Sequence, residues 1–381
     1  MVTSIKAEVS PKVLKWARES AGATVEEAAN WAGVDAERYL SWEEPGDDVP
    51  TIAKLKTLSE RFKRPLALLF LSEPPVEKSP PKDFRKPQAA EIPLSRRFNI
   101  QFRHALERRE LALELMDELE EKPPAFDLRA TLDDDPAEVA ERARAYIGVS
   151  VNDQLNWPYG NRGDIAFNNW RAALEESGIL VFQFREVSRD EMRGVSVPEF
   201  PLPLIIVNRK EGQNARVFSL FHELTHLMLR EGGLCDMSDN DATEIFCNRV
   251  AGEFLVPRNA LLGSDIVVNH GQELHWGDDE LYGLAKRFKV SEETILRRLL
   301  LFGKASQEFY VEKRREYSNR RPAQGGPISQ DVETLSKLGR RYTDVVLRSY
   351  HEGHITFTDA AGYMGVKSKY LSDIEARMYG R

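Results

Sequence analysis

His222, Glu223 and His226 form a His-Glu-x-x-His pattern inside Val217-Phe-Ser-Leu-Phe-His-Glu-Leu-Thr-His-Leu-Met-Leu229. The run from Asn214 to Glu231 has helical periodicity and contains neither Gly nor Pro, so a single helix is expected there. Residues four apart share a helix face, and His222 and His226 would therefore present two imidazole nitrogens to one metal ion. Glu223, one step round the helix, would instead take the proton from a water that the ion has made acidic, which is the chemistry of a zinc hydrolase. Histidine is scarce, seven in 381 residues, and the flanking Phe218, Leu220, Phe221, Leu227 and Met228 are apolar. The motif is thus expected on a buried helix, where polar groups need partners and a metal supplies one.

A hydrolytic zinc site takes a third protein ligand. The segment from Asp239 to Pro257 reads as an amphipathic helix opened by acidic residues and Asn and closed before the proline. Glu244 and Asn248 would share a face, the carboxylate binding the metal while the amide orients a ligating imidazole. Glu253 competes as ligand, but it lies nine residues beyond Glu244, about two and a half turns, so only one of the two should reach the ion. Glu244 is favoured. A group that steadies the oxyanion is also expected, with His270, His275 and Tyr282 as candidates among which spacing does not choose. The expected cofactor is Zn²⁺, with Mn²⁺ as the alternative.

The elements that must position these groups follow from periodicity. Trp170–Ser177 should be a helix ended by Gly178, followed by strands at Ile179–Phe184, Arg193–Val197 and Leu204–Val207. An extended peptide could pair with an exposed strand edge, and Gly194–Pro198 or Leu202–Val207 is the expected edge. Before this core, Ser95–Lys122 reads as a long charged helix stopped by Pro123-Pro124, and a shorter helix follows the acidic turn at Asp133–Pro136.

At each end lie short helices with repeated spacing. Ala28, Gly33, Val34 and Tyr39 have helix-turn-helix spacing, with Thr24 and Glu27 as a capping box. Its second helix offers Asp35, Glu37, Arg38, Ser41 and Glu43, a poor set for phosphates and base edges. Leu281–Leu299 repeats the spacing, with Ser291 placed to cap its latter helix. So does Ala360–Leu371 after a linker at Ser318–Gln330, and that unit carries Lys367, Lys369 and Arg377. Arg38, Lys367, Lys369 and Arg377 are therefore the candidate DNA contacts, although docking to a protein partner is the favoured role of both terminal units.

Composition narrows the setting. The net charge of −8 gives no general case for binding nucleic acid or an anionic membrane. No apolar run approaches a membrane span and no signal pattern opens the chain, so a cytoplasmic location is the expectation. Two cysteines, Cys235 and Cys247, are too few for a disulfide scaffold, and Cys247 is expected to be a small buried thiol.

Two stretches, Arg216–Leu229 and Glu244-Ile-Phe-Cys-Asn248-Arg-Val-Ala-Gly-Glu-Phe-Leu-Val-Pro257, together resemble the ImmA/IrrE family of metallopeptidases. The N-terminal segment resembles the Xre type of helix-turn-helix, and Arg64-Pro-Leu through Pro75 with Asp83-Phe-Arg85 matches family members that carry such a domain. The resemblance spans roughly Leu14 to Leu301. It implies a zincin-like catalytic domain and a site-limited cut in an Xre-type repressor that derepresses stress or mobile-element genes. The expected fold is therefore α+β multidomain: an all-helical helix-turn-helix-like domain (1–80), a helical connector (81–150), the zincin-like domain with a small sheet (151–301), a connector (302–330) and a helical C-terminal domain (331–381). The rival reading is a DNA-binding regulator or antitoxin-like protein in which the peptidase fold is structural or sensory.

Overall fold

The computed structural model describes residues 5–75, 94–159, 165–189, 191–230, 242–319 and 328–380. The expected connector at Ser79–Pro93 with Asp83–Arg85, Cys235, the acidic opening at Asp239–Asp241, and most of the Ser318–Gln330 linker lie outside the described residues. Two compact units emerge, the first from the described residues of Met1–Pro80 and Ala90–Leu106, the second from those beginning at Glu107.

In the first unit, α1 (Pro11–Ser20), α2 (Val25–Ala32), α3 (Ala36–Trp42) and α4 (Ile52–Phe62) enclose a core of Val13, Leu14, Ala17, Ala28, Tyr39, Trp42, Leu55, Leu58 and Phe62. Those positions recur at three- and four-residue intervals, which turns each helix inward along one stripe. The expected capping box is present: Thr24 Oγ1 accepts from the Glu27 amide at 3.2 Å, and the Glu27 carboxylate accepts from the Thr24 amide at 3.0 Å. A long helix, α5 (Arg96–Glu118), begins in this unit and ends in the second.

The second unit continues with α6 (Pro136–Tyr146), α7 (Val151–Asn156) and α8 (Ile165–Glu176), and then a three-stranded sheet. Its strands are β1 (Leu180–Phe184), β2 (Gly194–Val197) and β3 (Leu204–Asn208), in the order β1-β3-β2. β1 runs parallel to β3, with Leu180 opposite Leu204, and β2 runs antiparallel, with Val195 opposite Ile206. β3 is thus paired on both sides, which removes Leu202–Val207 as a peptide-binding edge. Among the described residues β2 is paired on one side only, and its four residues are buried. The β2–β3 connection contains a cis Phe200–Pro201 bond and is gathered by Arg109 of α5, whose guanidinium donates to the carbonyls of Glu199, Pro201 and Leu202 at 2.7–2.9 Å.

After the sheet come α9 (Gln213–Leu229) and α10 (Ala242–Leu255), packed against each other, with α6 on α10. Phe221 of α9 and Phe254 of α10 stack with centroids 3.9 Å apart. Arg144 of α6 lies over the Phe254 ring and donates to the Phe254 carbonyl at 2.8 Å. The order continues through α11 (Arg258–Leu262), α12 (Asp265–His270), α13 (Asp278–Phe288), α14 (Glu292–Leu301) and α15 (Gln307–Asn319). One apolar core runs from Phe126 through the sheet, α9 and α10 to α14 and Tyr310.

The last elements, α16 (Gln330–His351), α17 (Phe357–Met364) and α18 (Leu371–Tyr379), belong to the same unit, and α16 packs against β1 and α8. The joint is polar and buried. Gly339 breaks α16 with φ 78° and ψ 170°, so the amides of Arg340 and Arg341 turn towards the buried Glu175 carboxylate of α8, at 3.0 and 3.2 Å. Arg171 donates to the same carboxylate at 3.0 Å and to the Ser336 carbonyl at 2.7 Å. Gln183 of β1 donates to that carbonyl at 2.8 Å and accepts from Arg216 of α9 at 2.6 Å. A chain of hydrogen bonds therefore joins the C-terminal helices to the helix that carries His222. Among the described residues no helix is long and apolar enough to cross a membrane.

Candidate metal centre

Helix α9 is buried almost all round, with Arg216, Val217 and every residue from Ser219 to Leu229 inside. His222 is fully buried, and His226 and Glu223 nearly so, at 2% and 3% exposed. A four-residue step places both imidazoles on one face with their Nε2 atoms 3.0 Å apart. Glu244, in the first turn of α10, closes the triangle: its Oε2 is 3.3 Å from His222 Nε2 and its Oε1 is 3.3 Å from His226 Nε2. One ligand atom from each of the three residues lies within 4.8 Å of the others.

The opposite ring edges fix the histidine orientations. His222 Nδ1 lies 3.2 Å from Asn248 Oδ1, and His226 Nδ1 lies 3.7 Å from Cys247 Sγ. With a metal bound through Nε2, each ring would carry its proton on Nδ1, facing these two acceptors. Two imidazoles and a carboxylate, converging on one point with Asn248 and Cys247 behind the rings, are a donor set that suits a zinc-type cation. Burial works to raise the Glu244 carboxyl, but hydrogen bonds and attraction from His222 and His226 outweigh it and hold the group well below the usual carboxylate range. Burial pushes the Cys247 thiol up to about 11, against the pull of His226, so the sulfur is a neutral thiol at physiological pH.

Glu223 leaves this face and meets the sheet. Its carboxylate lies against Gly194 of β2, where a β-carbon would stand 2.6 Å from Oε1. The acidic group therefore sits between the metal helix and the edge strand.

Other expected residues are placed elsewhere. Glu253 forms a 2.6 Å ion pair with Arg298 and accepts from the Arg258 amide at 3.3 Å, so it is committed to the α10–α14 contact and Glu244 faces the histidines instead. The His270 ring stacks on Trp276 at 3.6 Å between centroids and its Nδ1 is 2.8 Å from Glu280. His275 meets the edge of Phe309, and Tyr282 that of Tyr159. None of these ring partners belongs to the histidine cluster, so no oxyanion group is assigned among the three. Arg38 is paired with Asp48 at 3.1 Å, Arg377 with Asp331, and the Lys369 ammonium lies over Tyr370, while Lys367 is exposed. Neither of the two arginines presents an uncommitted guanidinium.

Sequence reasoning passed over two contacts. Gly194 carries no chemistry of its own and shows its importance only through what a side chain there would strike. Cys247 had a legible signal, because Glu244, Cys247 and Asn248 stand at positions i, i+3 and i+4 of one helix and so share a face.

Two imidazoles and a carboxylate from two facing helices form a cluster suited to a metal ion. Residues 174–300 match the family model Peptidase_M78, the IrrE N-terminal-like domain. That match supports the ImmA/IrrE resemblance and a peptidase, and the His222/His226/Glu244 cluster is compatible with a metal site. Comparison with curated proteins and with solved structures gave no match.

Proposed function

We propose that the protein is a zinc-dependent endopeptidase that makes a limited cut in an Xre-type repressor or a similar regulatory protein. The observation that carries the catalytic half is the convergence of His222, His226 and Glu244, with Glu223, next to His222 in the chain, laid against Gly194 of β2. The regulatory half rests on the family resemblance and on the small helical units at both ends of the chain.

In this reading His222, His226 and Glu244 hold the ion, and Asn248 keeps the His222 ring in place. When bound, zinc would polarise the scissile carbonyl and lower the pKa of the attacking water. Glu223 takes the proton of that water as it attacks, and then delivers the proton to the leaving amine. Low exposure keeps the Glu223 carboxylate in a medium where its charge acts strongly. The side of β2 that is unpaired among the described residues is the strand edge along which an extended peptide would lie, close to Glu223. Its residues are buried in this conformation, which suits an enzyme that is not open to every peptide.

The test is to incubate the zinc-loaded protein with Xre-like repressors encoded beside it and to map any cut by mass spectrometry. Glu223→Gln should keep its zinc and lose turnover by roughly 10²–10⁴-fold. Undiminished cutting by that variant would remove the peptidase reading and leave the regulator reading standing.

A further inference from the structure

We propose that Cys247 is a positioning residue for the metal-ligating face of His226, its sulfur accepting the Nδ1–H hydrogen bond. The inference rests on the metal-site reading above and goes beyond it, because it gives a role to a side chain outside the ligand set.

The geometry is that of a matched pair of braces. Both Nε2 atoms face Glu244, so both Nδ1 atoms must face away, and each meets a residue of α10. Asn248 Oδ1 stands behind His222 at 3.2 Å, and Cys247 Sγ behind His226 at 3.7 Å. A single face of α10 therefore supplies one ligand and a brace for each of the other two. An imidazole bound through Nε2 carries its proton on Nδ1, and that proton seeks an acceptor in a site where His226 and Cys247 are 2% and 0% exposed. A thiol sulfur is a weaker acceptor than an amide oxygen. The sulfur lies on the Nδ1 side of the ring, away from the point where the Nε2 atoms and the Glu244 carboxylate converge, so it braces a ligand and is not one itself.

The experiment uses the full-length protein, stripped of metal, with zinc affinity measured by chelator competition and folding followed by circular dichroism. Cys247→Ala should bind zinc about tenfold more weakly with an unchanged spectrum, the lower end of what loss of an outer contact costs. Cys247→Ser, whose hydroxyl can accept from Nδ1–H, should recover most of that loss. Val250→Ala removes similar buried volume from α10 and should lower thermal stability while leaving zinc affinity alone. Unchanged affinity in Cys247→Ala, no recovery in Cys247→Ser, or equal weakening in Val250→Ala would each overturn the positioning role. A thiolate charge-transfer band in the cobalt-loaded protein that disappears in Cys247→Ala would overturn it too, by making the sulfur a ligand. Failure of the wild type to take up zinc at all would instead bring down the metal reading, and this inference with it.

Discussion

Gly194 of β2 and Glu223 of α9 are in direct contact: a β-carbon at Gly194 would stand 2.6 Å from Glu223 Oε1, 2.8 Å from Cγ and 3.0 Å from Cδ. The strand backbone is thereby laid against the acidic group, with no side chain between them. Gly194 pairs with Val207 of the central strand, so the strand has little room to retreat.

Gly194→Ala is therefore expected to displace the Glu223 carboxylate and to leave the zinc ligands in place. Turnover of a cleaved substrate should fall by about 10²-fold or more, because a misplaced general base loses most of its contribution. Zinc affinity, measured separately, should match the wild type. A parallel loss of zinc would mean that the strand had shifted as a whole.

Glu244 and Glu253 separate cleanly by experiment. Glu244→Ala should weaken zinc binding by more than the ~100-fold typical of losing an outer contact, with little change in the fold. Glu253→Ala should keep zinc but strand the buried Arg298, at a cost of about 3 kcal/mol in chemical denaturation. The opposite pattern would exchange their roles.

Much of the site was legible because a helix repeats. Spacing of four puts His222 with His226 and Glu244 with Asn248, and the structure brings those faces together. The strands appeared within a residue or so of their expected positions, but their order did not: placing β3 in the centre depends on long-range pairing that alternation along one strand does not encode. Glu253 was ambiguous for a similar reason, since its fate is decided by Arg298, 45 positions away on another helix. His270 was eligible by type alone and is taken up by Trp276 and Glu280.

Acid should loosen the C-terminal helices through Glu121. Burial works to raise its carboxyl, yet hydrogen bonds and attraction from Arg348 and Arg341 of α16 hold it below the usual range. A carboxyl lowered on folding contributes stability above its unfolded pKa of about 4.3 and loses it as pH falls through the folded value. The difference in urea midpoint between wild type and Glu121→Gln should be steady near neutrality and should close as pH drops below about 4. A difference that is independent of pH would exclude this linkage.

Gly339→Ala should unlatch the same helices. The backbone there, at φ 78° and ψ 170°, is open essentially to glycine alone and costs another residue about 1–3 kcal/mol. A β-carbon would also stand 2.6 Å from Arg171 Nη2 and closer still to the Glu175 carboxylate. Limited proteolysis should cut within α16 earlier than in the wild type, and equal resistance would show that the joint tolerates the change.

The joint between α16 and β1 has a practical corollary. Among the described residues β1 is a terminal strand of the sheet, and the matched segment ends at residue 300, thirty positions before the helix that packs against it. A fragment trimmed to the matched boundaries would leave the flank of β1 without its cover, along with Gln183, which normally meets Ser336, and would lack Arg171 as well. Uncovered strand edges recruit other chains, so such a fragment is a candidate for inclusion bodies even with an intact ligand set.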